Sequence, residues 1–170
     1  VEDIGRQCRA QGVTFLFEPI VYDNNVPDGA SREFAAIKPE LVRTTTQQFA
    51  HAKFGIDILK VELPVNFQFV EGFGDPMLSR AEAQAAIVSA AEAAGDIPLL
   101  YLSAGVTFEQ FRDALRFARS AGVNALGFMC GRAIWSDAIG IFGAEGPAAM
   151  ARWMETTGRE RLAHLKEAAT

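Results

Sequence analysis

The sequence lacks most of the features that mark secreted, metal-binding and membrane proteins. Its 170 residues contain two cysteines, which are too few for a disulfide framework and show no metal-site spacing. The longest apolar runs, such as residues 97–101, fall far short of the roughly 20 residues that a membrane helix needs. No basic segment precedes a signal-like stretch. We therefore expect a cytoplasmic protein that binds neither a metal ion nor a membrane.

An excess of positive charge is also absent. The chain has 16 Lys and Arg against 21 Asp and Glu, for a formal net charge of -5. Because phosphate backbones attract basic surfaces, this balance argues against nucleic acid as a partner. It leaves a small anionic ligand open. The hydrophobic content of 49% is enough to bury a core, and we expect one domain over residues 1–170.

Short apolar or β-rich runs alternate with helical patterns along the chain. We predict four strands at residues 14–20, 56–62, 98–103 and 124–130. We predict helices at residues 1–11, 39–53, 80–94, 108–120, 133–142, 147–156 and 159–168, with Pro39 at the first turn of the second helix. Since parallel strands need long crossover connections, the pattern indicates an α/β fold with parallel strands and flanking helices. An open sheet and part of a (β/α)8 barrel both fit it.

A lysine stands in the middle of the second predicted strand. Alternation of side chains places Ile58, Lys60 and Glu62 on one face of that strand. Lysine is rarely buried without a partner, and removal from water favours its neutral amine, the nucleophile that forms Schiff bases. The alternatives are a water-facing lysine on an edge strand and a lysine that simply pairs with Glu62.

Glu18 ends the first predicted strand, directly before Pro19. A carboxylate at that place can point into a site and, if Lys60 is its neighbour, can move protons between an amine and a substrate hydroxyl. The alternative is an acid at a strand end that caps a loop amide. Glu62 and Asn66 follow at the end of the second strand and are candidates to line the site, whereas Asp57 and Asp96 precede strands and are assigned to structure.

Two turns of small residues follow the third and fourth predicted strands and lead directly into helices. Backbone N–H groups at such turns approach a ligand closely, the helix N-terminus favours an anion, and an arginine matches phosphate oxygens. Either turn alone is a weak signal, because glycine at a strand–helix turn often serves only steric relief. Together they predict a phosphate site, whose residues are Ser103, Ala104, Gly105, Gly131 and Arg132.

Taken together, these segments resemble the class I aldolase family that cleaves tagatose 1,6-bisphosphate. The stretches that carry the resemblance are residues 17–23, 58–66, 69–73, 102–106 and 130–135. The resemblance implies a (β/α)8 TIM barrel whose strands five to eight are the four predicted here. It also implies a Schiff base on Lys60, acid–base work by Glu18, and a substrate phosphate on the two small-residue turns, without cofactor or metal.

A complete (β/α)8 barrel takes about 250 residues, so a chain of 170 corresponds to the C-terminal portion of one. The start at Val1 rather than Met fits the same expectation of a fragment of a longer chain. A half-barrel exposes two sheet edges and its apolar interior. We therefore predict a homo-oligomer or association through the open barrel edges.

The function that this resemblance predicts is cleavage of D-tagatose 1,6-bisphosphate to dihydroxyacetone phosphate and D-glyceraldehyde 3-phosphate through a lysine Schiff base. One alternative is an aldolase for another ketose phosphate, such as fructose bisphosphate or sulfofructose phosphate. Another is a non-catalytic half-barrel that binds sugar phosphates without turning them over.

Overall fold

Four parallel strands form one sheet whose spatial order follows the chain. The computed structural model describes all residues from Val1 to Thr170. Neighbouring strands pair in parallel in the order β1-β2-β3-β4, which confirms the predicted α/β class. The strands are shorter than predicted and are β1 (Leu16–Phe17), β2 (Ile58–Glu62), β3 (Leu99–Leu102) and β4 (Gly127–Phe128).

Seven α-helices connect and follow the strands. They are α1 (Glu2–Gln11), α2 (Arg32–Phe49), α3 (Arg80–Glu92), α4 (Phe108–Ser120), α5 (Arg132–Glu145), α6 (Pro147–Trp153) and α7 (Arg159–Ala169). A π-helical turn, Met154–Gly158, joins α6 to α7. Ser79 and Thr107 cap α3 and α4, since each side chain accepts a hydrogen bond from the helix it precedes. None of these helices has the length and apolar content needed to span a membrane.

The predicted start of the second helix is wrong. Helix α2 begins at Arg32, and Pro39 lies inside it rather than at its first turn. The Ser31 hydroxyl accepts a hydrogen bond of 3.0 Å from the Phe34 backbone N–H and so caps the helix well before the proline. Burial of Phe34 and Val42 on one face extends the helix across Pro39, which supplies no N–H to the helical ladder.

The core lies between the sheet and the helices on one of its faces. Leu59 and Val61 of β2 and Leu99 of β3 are buried and belong to one hydrophobic cluster with Ile87 of α3 and Phe111 of α4. The opposite face of β2, which carries Lys60, is only half-buried. Helices therefore cover one side of the sheet and leave the lysine side more open.

The amino end of the sheet is held by Asp57. Its carboxylate accepts a hydrogen bond of 2.7 Å from the Phe15 backbone N–H, just before β1 begins. This contact confirms the structural role expected of Asp57. The candidate site residues lie near or just after the other ends of the strands, and because the strands are parallel these carboxyl ends meet at the opposite edge of the sheet.

Candidate active site

Lys60 and Glu18 form an ion pair across neighbouring strands. The Nζ atom of Lys60 lies 2.8 Å from Oε2 of Glu18. Strands β1 and β2 pair with Leu16 opposite Ile58, so the residue that follows β1 is brought level with Lys60. The Lys60 side chain is 16% exposed and that of Glu18 is 40% exposed. A half-buried amine thus has one carboxylate within proton-transfer distance, as expected if the two were neighbours.

The position of β2 in the sheet excludes one of the alternatives for Lys60. This strand lies between β1 and β3, so the interpretation of Lys60 as a water-facing residue on an edge strand is wrong.

The thiol of Cys130, which follows β4, interacts electrostatically with the Lys60 ammonium. Burial raises the pKa of Cys130 to about 11, and the ammonium of Lys60 opposes that rise.

A second ion pair lies beside the first and involves a residue that the sequence did not single out. Nζ of Lys38, on α2, is 2.6 Å from Oε2 of Glu62 and donates a hydrogen bond of 3.0 Å to Oδ1 of Asn66. The Lys38 side chain is 7% exposed and that of Glu62 is 14% exposed. Glu62 therefore pairs with Lys38, and the interpretation that it simply neutralises Lys60 is wrong.

The signal that could have identified Lys38 is helical spacing. Lys38 lies four residues after Phe34 and four before Val42, on the buried face of α2. A lysine on such a face needs a partner of opposite charge, which is the argument that picked out Lys60. The predicted helix start at Pro39 placed Lys38 outside the helix and concealed this spacing.

Asn66 and Gln68 attach the loop between β1 and α2 to the strand end. The side-chain amide of Asn66 donates to the Gly29 carbonyl at 3.0 Å, and that of Gln68 donates to the Ala30 carbonyl at 2.7 Å. Because Asn66 also accepts from Lys38, both ends of its amide are used. Loop residues from Pro19 onward consequently form a wall above the carboxyl end of β2.

The turn after β3 has an uncommon backbone. The Val106 N–H donates to the Ser103 carbonyl at 3.1 Å, and the two residues between them have positive φ, 49° at Ala104 and 81° at Gly105. Two positive φ values inside such a hydrogen bond define a type I′ turn. A left-handed alanine costs about 1 kcal/mol, and strain of this kind concentrates at functional sites.

Arg132, the first residue of α5, lies over this turn. A Cβ atom built on Gly105 would be 3.5 Å from a guanidinium nitrogen of Arg132. The guanidinium forms no ion pair or hydrogen bond with the rest of the chain. Gly131 has a different role, since a Cβ there would come within 2.8 Å of the Trp135 indole nitrogen. Two of the predicted phosphate-binding segments thus lie beside each other, with the unpaired guanidinium of Arg132 between them.

A cavity of about 670 Å³ joins these groups. Its wall includes both glutamates, the buried lysine, the turn and the arginine: Glu18, Lys38, Glu62, Asn66, Ser103, Ala104, Gly105 and Arg132. Lys60 and Gly131 are not part of that wall, and Lys60 reaches it through the carboxylate of Glu18. The volume is in the range of small-molecule sites. No three His, Cys, Asp or Glu side chains are grouped so that they could hold a metal ion.

Comparison with known proteins gives one family and one recurrent activity. Residues 1–137 match the model of the DeoC/LacD family aldolases. The chain is 39% identical over 166 residues to a tagatose 1,6-diphosphate aldolase of Listeria monocytogenes serotype 4a. The aligned region covers 97% of this chain and 49% of that protein. It is 41% identical over 169 residues to the Staphylococcus haemolyticus protein of that name, covering 98% and 52%.

A third relative has similar coverage. The chain is 40% identical over 168 residues to tagatose 1,6-diphosphate aldolase 2 of Streptococcus pyogenes serotype M3, which covers 98% of this chain and 51% of that protein. The chain therefore spans about half the length of the curated relatives it matches.

Proposed function

The chain belongs to the DeoC/LacD family of aldolases, and on that premise we propose that it carries the Schiff-base centre of a D-tagatose 1,6-bisphosphate aldolase. The products are dihydroxyacetone phosphate and D-glyceraldehyde 3-phosphate. The observation that carries the proposal is the contact of 2.8 Å between Nζ of Lys60 and Oε2 of Glu18. A nucleophilic amine and a proton-transfer group within hydrogen-bond distance are what imine chemistry requires.

Imine formation begins with proton transfer from the Lys60 ammonium to Glu18. The neutral amine attacks the C2 carbonyl of the ketose, and a carbinolamine forms. Glu18 returns the proton to the carbinolamine oxygen, which leaves as water and gives the protonated imine. The contact of 2.8 Å between Nζ of Lys60 and Oε2 of Glu18 supports this step, because it is short enough for direct proton transfer.

Carbon–carbon cleavage follows on the same pair. The protonated imine withdraws the electrons of the C3–C4 bond and becomes an enamine, while the Glu18 carboxylate takes the proton of the C4 hydroxyl. Glyceraldehyde 3-phosphate leaves. The Glu18 carboxylic acid then protonates C3 of the enamine, and water hydrolyses the imine to release dihydroxyacetone phosphate and regenerate Lys60. The iminium is the electron sink, so the step uses no metal ion.

The turn after β3 and the start of α5 bind a substrate phosphate in this proposal. The supporting features are the type I′ turn from Ser103 to Val106, the unpaired guanidinium of Arg132 above it, and the N-terminus of a 14-residue helix at Gly131. Backbone N–H groups, a helix N-terminus and an arginine fork all favour a bound dianion.

We further propose that the four strands are strands five to eight of a (β/α)8 barrel. The parallel sheet in chain order and the coverage of about half of each relative support this assignment. The other four βα units then supply the remaining substrate contacts. Association between copies of the chain and a cytoplasmic location stay predictions.

Reductive trapping tests the Schiff base. The purified protein is treated with dihydroxyacetone phosphate and sodium borohydride and then digested, and the peptides are weighed by mass spectrometry. We expect a stable adduct on Lys60 that is absent in Lys60→Met and retained in the control Lys166→Met, whose lysine is exposed on α7. A folded protein without an adduct would overturn the mechanism. Retained binding of the sugar phosphate in that case would favour the non-catalytic alternative.

The choice of ketose is tested separately with tagatose, fructose and sulfofructose phosphates under identical conditions. We expect tagatose 1,6-bisphosphate to give the highest kcat/KM, because the relatives at about 40% identity carry that substrate in their names. A clear preference for either of the other two would replace the substrate and leave the Schiff base in place.

A further inference from the structure

Two lysines and two glutamates stand at the carboxyl end of β2, and they are divided into two separate pairs. Lys60 contacts Glu18 at 2.8 Å, and Lys38 contacts Glu62 at 2.6 Å. The first pair is half-buried and lines the cavity only through Glu18, whereas the second is almost fully buried and lines it with both of its members. The pairing is not dictated by nearness along the chain, since Glu62 is only two residues from Lys60.

Glu62 is placed to compete with Glu18 for the amine of Lys60. Residues two apart in a strand point to the same face, with their Cα atoms about 6.6 Å apart. Lys60 and Glu62 are such a pair on the half-buried face of β2. Both side chains are long enough to meet over that distance. What holds the Glu62 carboxylate elsewhere is the ammonium of Lys38, which reaches across from α2.

We propose that Lys38 is a positioning residue of the aldolase site, which keeps Glu62 away from Lys60 so that Glu18 is the sole carboxylate partner of the reactive amine. The inference rests on the proposed Schiff-base function. A second carboxylate beside Lys60 would stabilise its ammonium form and would reduce the neutral amine available for attack on a carbonyl.

The attachment of Lys38 supports this role. Its amine also donates to Oδ1 of Asn66 at 3.0 Å, and Asn66 in turn donates to the Gly29 carbonyl. The Lys38 amine thus has two partners, Glu62 at the end of β2 and Asn66 in the segment after that strand. An exposed lysine samples many rotamers, whereas these two contacts restrain the Lys38 side chain and, through it, the Glu62 carboxylate.

The groups that face the Lys60 amine from the neighbouring elements define the controls for a pH experiment. They are Glu18 after β1, Glu62 on β2 and the Cys130 thiol after β4, with Lys38 acting through Glu62. Replacement of Lys38 changes the position of one of these groups, the Glu62 carboxylate, and leaves the other two in place.

The test compares Lys38→Met with the double variant Lys38→Met/Glu62→Gln. Borohydride trapping of dihydroxyacetone phosphate on Lys60 is timed at pH 7 and pH 9, after circular dichroism has shown that each variant is folded. We expect trapping at pH 7 to slow about tenfold in the single variant, because one opposite charge beside an amine typically raises the pKa of that amine by about one unit. The loss should shrink at pH 9 and disappear in the double variant, which has no carboxylate to release.

The outcomes separate this inference from the proposed function. No trapping in the wild-type protein means that the Schiff base itself fails. Wild-type trapping with an unchanged rate in the folded single variant, or an equally slow rate in the double variant, overturns the role of Lys38. If Lys38→Met does not fold, Lys38→Ala, which also offers Glu62 no donor, replaces it alongside Lys38→Ala/Glu62→Gln. If no single variant folds, a slow double variant still contradicts the inference.

Discussion

Lys60 and Glu18 are 42 residues apart in the chain, yet their side chains form a hydrogen bond of 2.8 Å at the carboxyl end of adjacent strands. The parallel pairing of β1 with β2 produces this contact, because Leu16 lies opposite Ile58, and Glu18 and Lys60 each come two residues later in the chain. The two groups can therefore be separated experimentally, one as nucleophile and one as proton carrier.

Glu18→Gln should preserve the nucleophile and remove the proton carrier. We expect kcat for aldol cleavage to fall about 10²- to 10⁴-fold, the usual contribution of general acid–base catalysis. Turnover is measured by coupled assay of the aldehyde product. The control Glu155→Gln, which changes an exposed glutamate in the π-helical turn, should leave kcat unchanged. Equal loss in both variants would show that the effect is not local to the pair.

Arg132→Met should weaken phosphate binding. Hydrogen bonds to charged groups contribute about 1.5 to 3 kcal/mol, so we expect KM for the bisphosphate to rise about 10- to 100-fold. The reaction with an unphosphorylated ketose should change little. Arg159→Met removes an exposed arginine that forms no ion pair and serves as the matched control. An unchanged KM in Arg132→Met would remove the arginine from the phosphate site.

Thr46→Val should stabilise the protein. The Thr46 hydroxyl on α2 has no hydrogen-bond partner although the residue is 1% exposed. Removing an unsatisfied buried hydroxyl while keeping the shape should raise the free energy of unfolding by about 1 kcal/mol. Urea denaturation measures the change. The control Thr45→Val, on the half-buried neighbour, makes the same change of helix propensity and should have little effect. A loss of stability in Thr46→Val would indicate a hidden partner for the hydroxyl.

Tyr101 should make the protein less stable at alkaline pH. Burial raises its pKa to about 12 from 10.0, since the phenolate is disfavoured in the core. A raised folded-state pKa means that the stability is fully present below pH 10 and is lost as the pH rises through 12. Two pKa units correspond to about 2 to 3 kcal/mol.

Tyr101→Phe should remove this part of the pH dependence. Denaturation from about pH 9 to about pH 12, a range that includes the pKa of a free tyrosine and reaches that of Tyr101, should then give a flatter curve of unfolding free energy against pH. Tyr22→Phe is the matched control, because Tyr22 is 72% exposed. A curve equally steep in Tyr101→Phe and in the wild-type protein would assign the alkaline loss to other groups.

The sequence contained enough to place the fold class and to single out Lys60 and Glu18 as a pair. Alternation along β2 and the break at Pro19 put both side chains on the correct face and at the correct end of the sheet. This success has a physical reason, because strand periodicity and parallel connection are local rules that depend little on tertiary contacts.

The pairing of Glu62 with Lys38 could not be predicted from the sequence, because it depends on an element distant in the chain. Whether Glu62 meets Lys60 or Lys38 is decided by the packing of α2, whose start was misplaced at Pro39 when Ser31 is the true cap. Proline is most often found in the first turn of a helix, yet the burial of Phe34 outweighs that preference here. Backbone strain at Ala104 was likewise invisible, since alanine rarely adopts a positive φ.

The hydrogen bond between Asp57 and the Phe15 backbone lies at the amino end of the sheet, away from every group assigned to chemistry. Stability and reactivity therefore depend on opposite ends of the same four strands. Substitutions that stabilise the amino end of the sheet, for example around Asp57, should leave the catalytic groups at the carboxyl end unchanged. Laboratory evolution toward new sugar substrates could vary the loops that follow the strands while the amino end of the sheet maintains the fold.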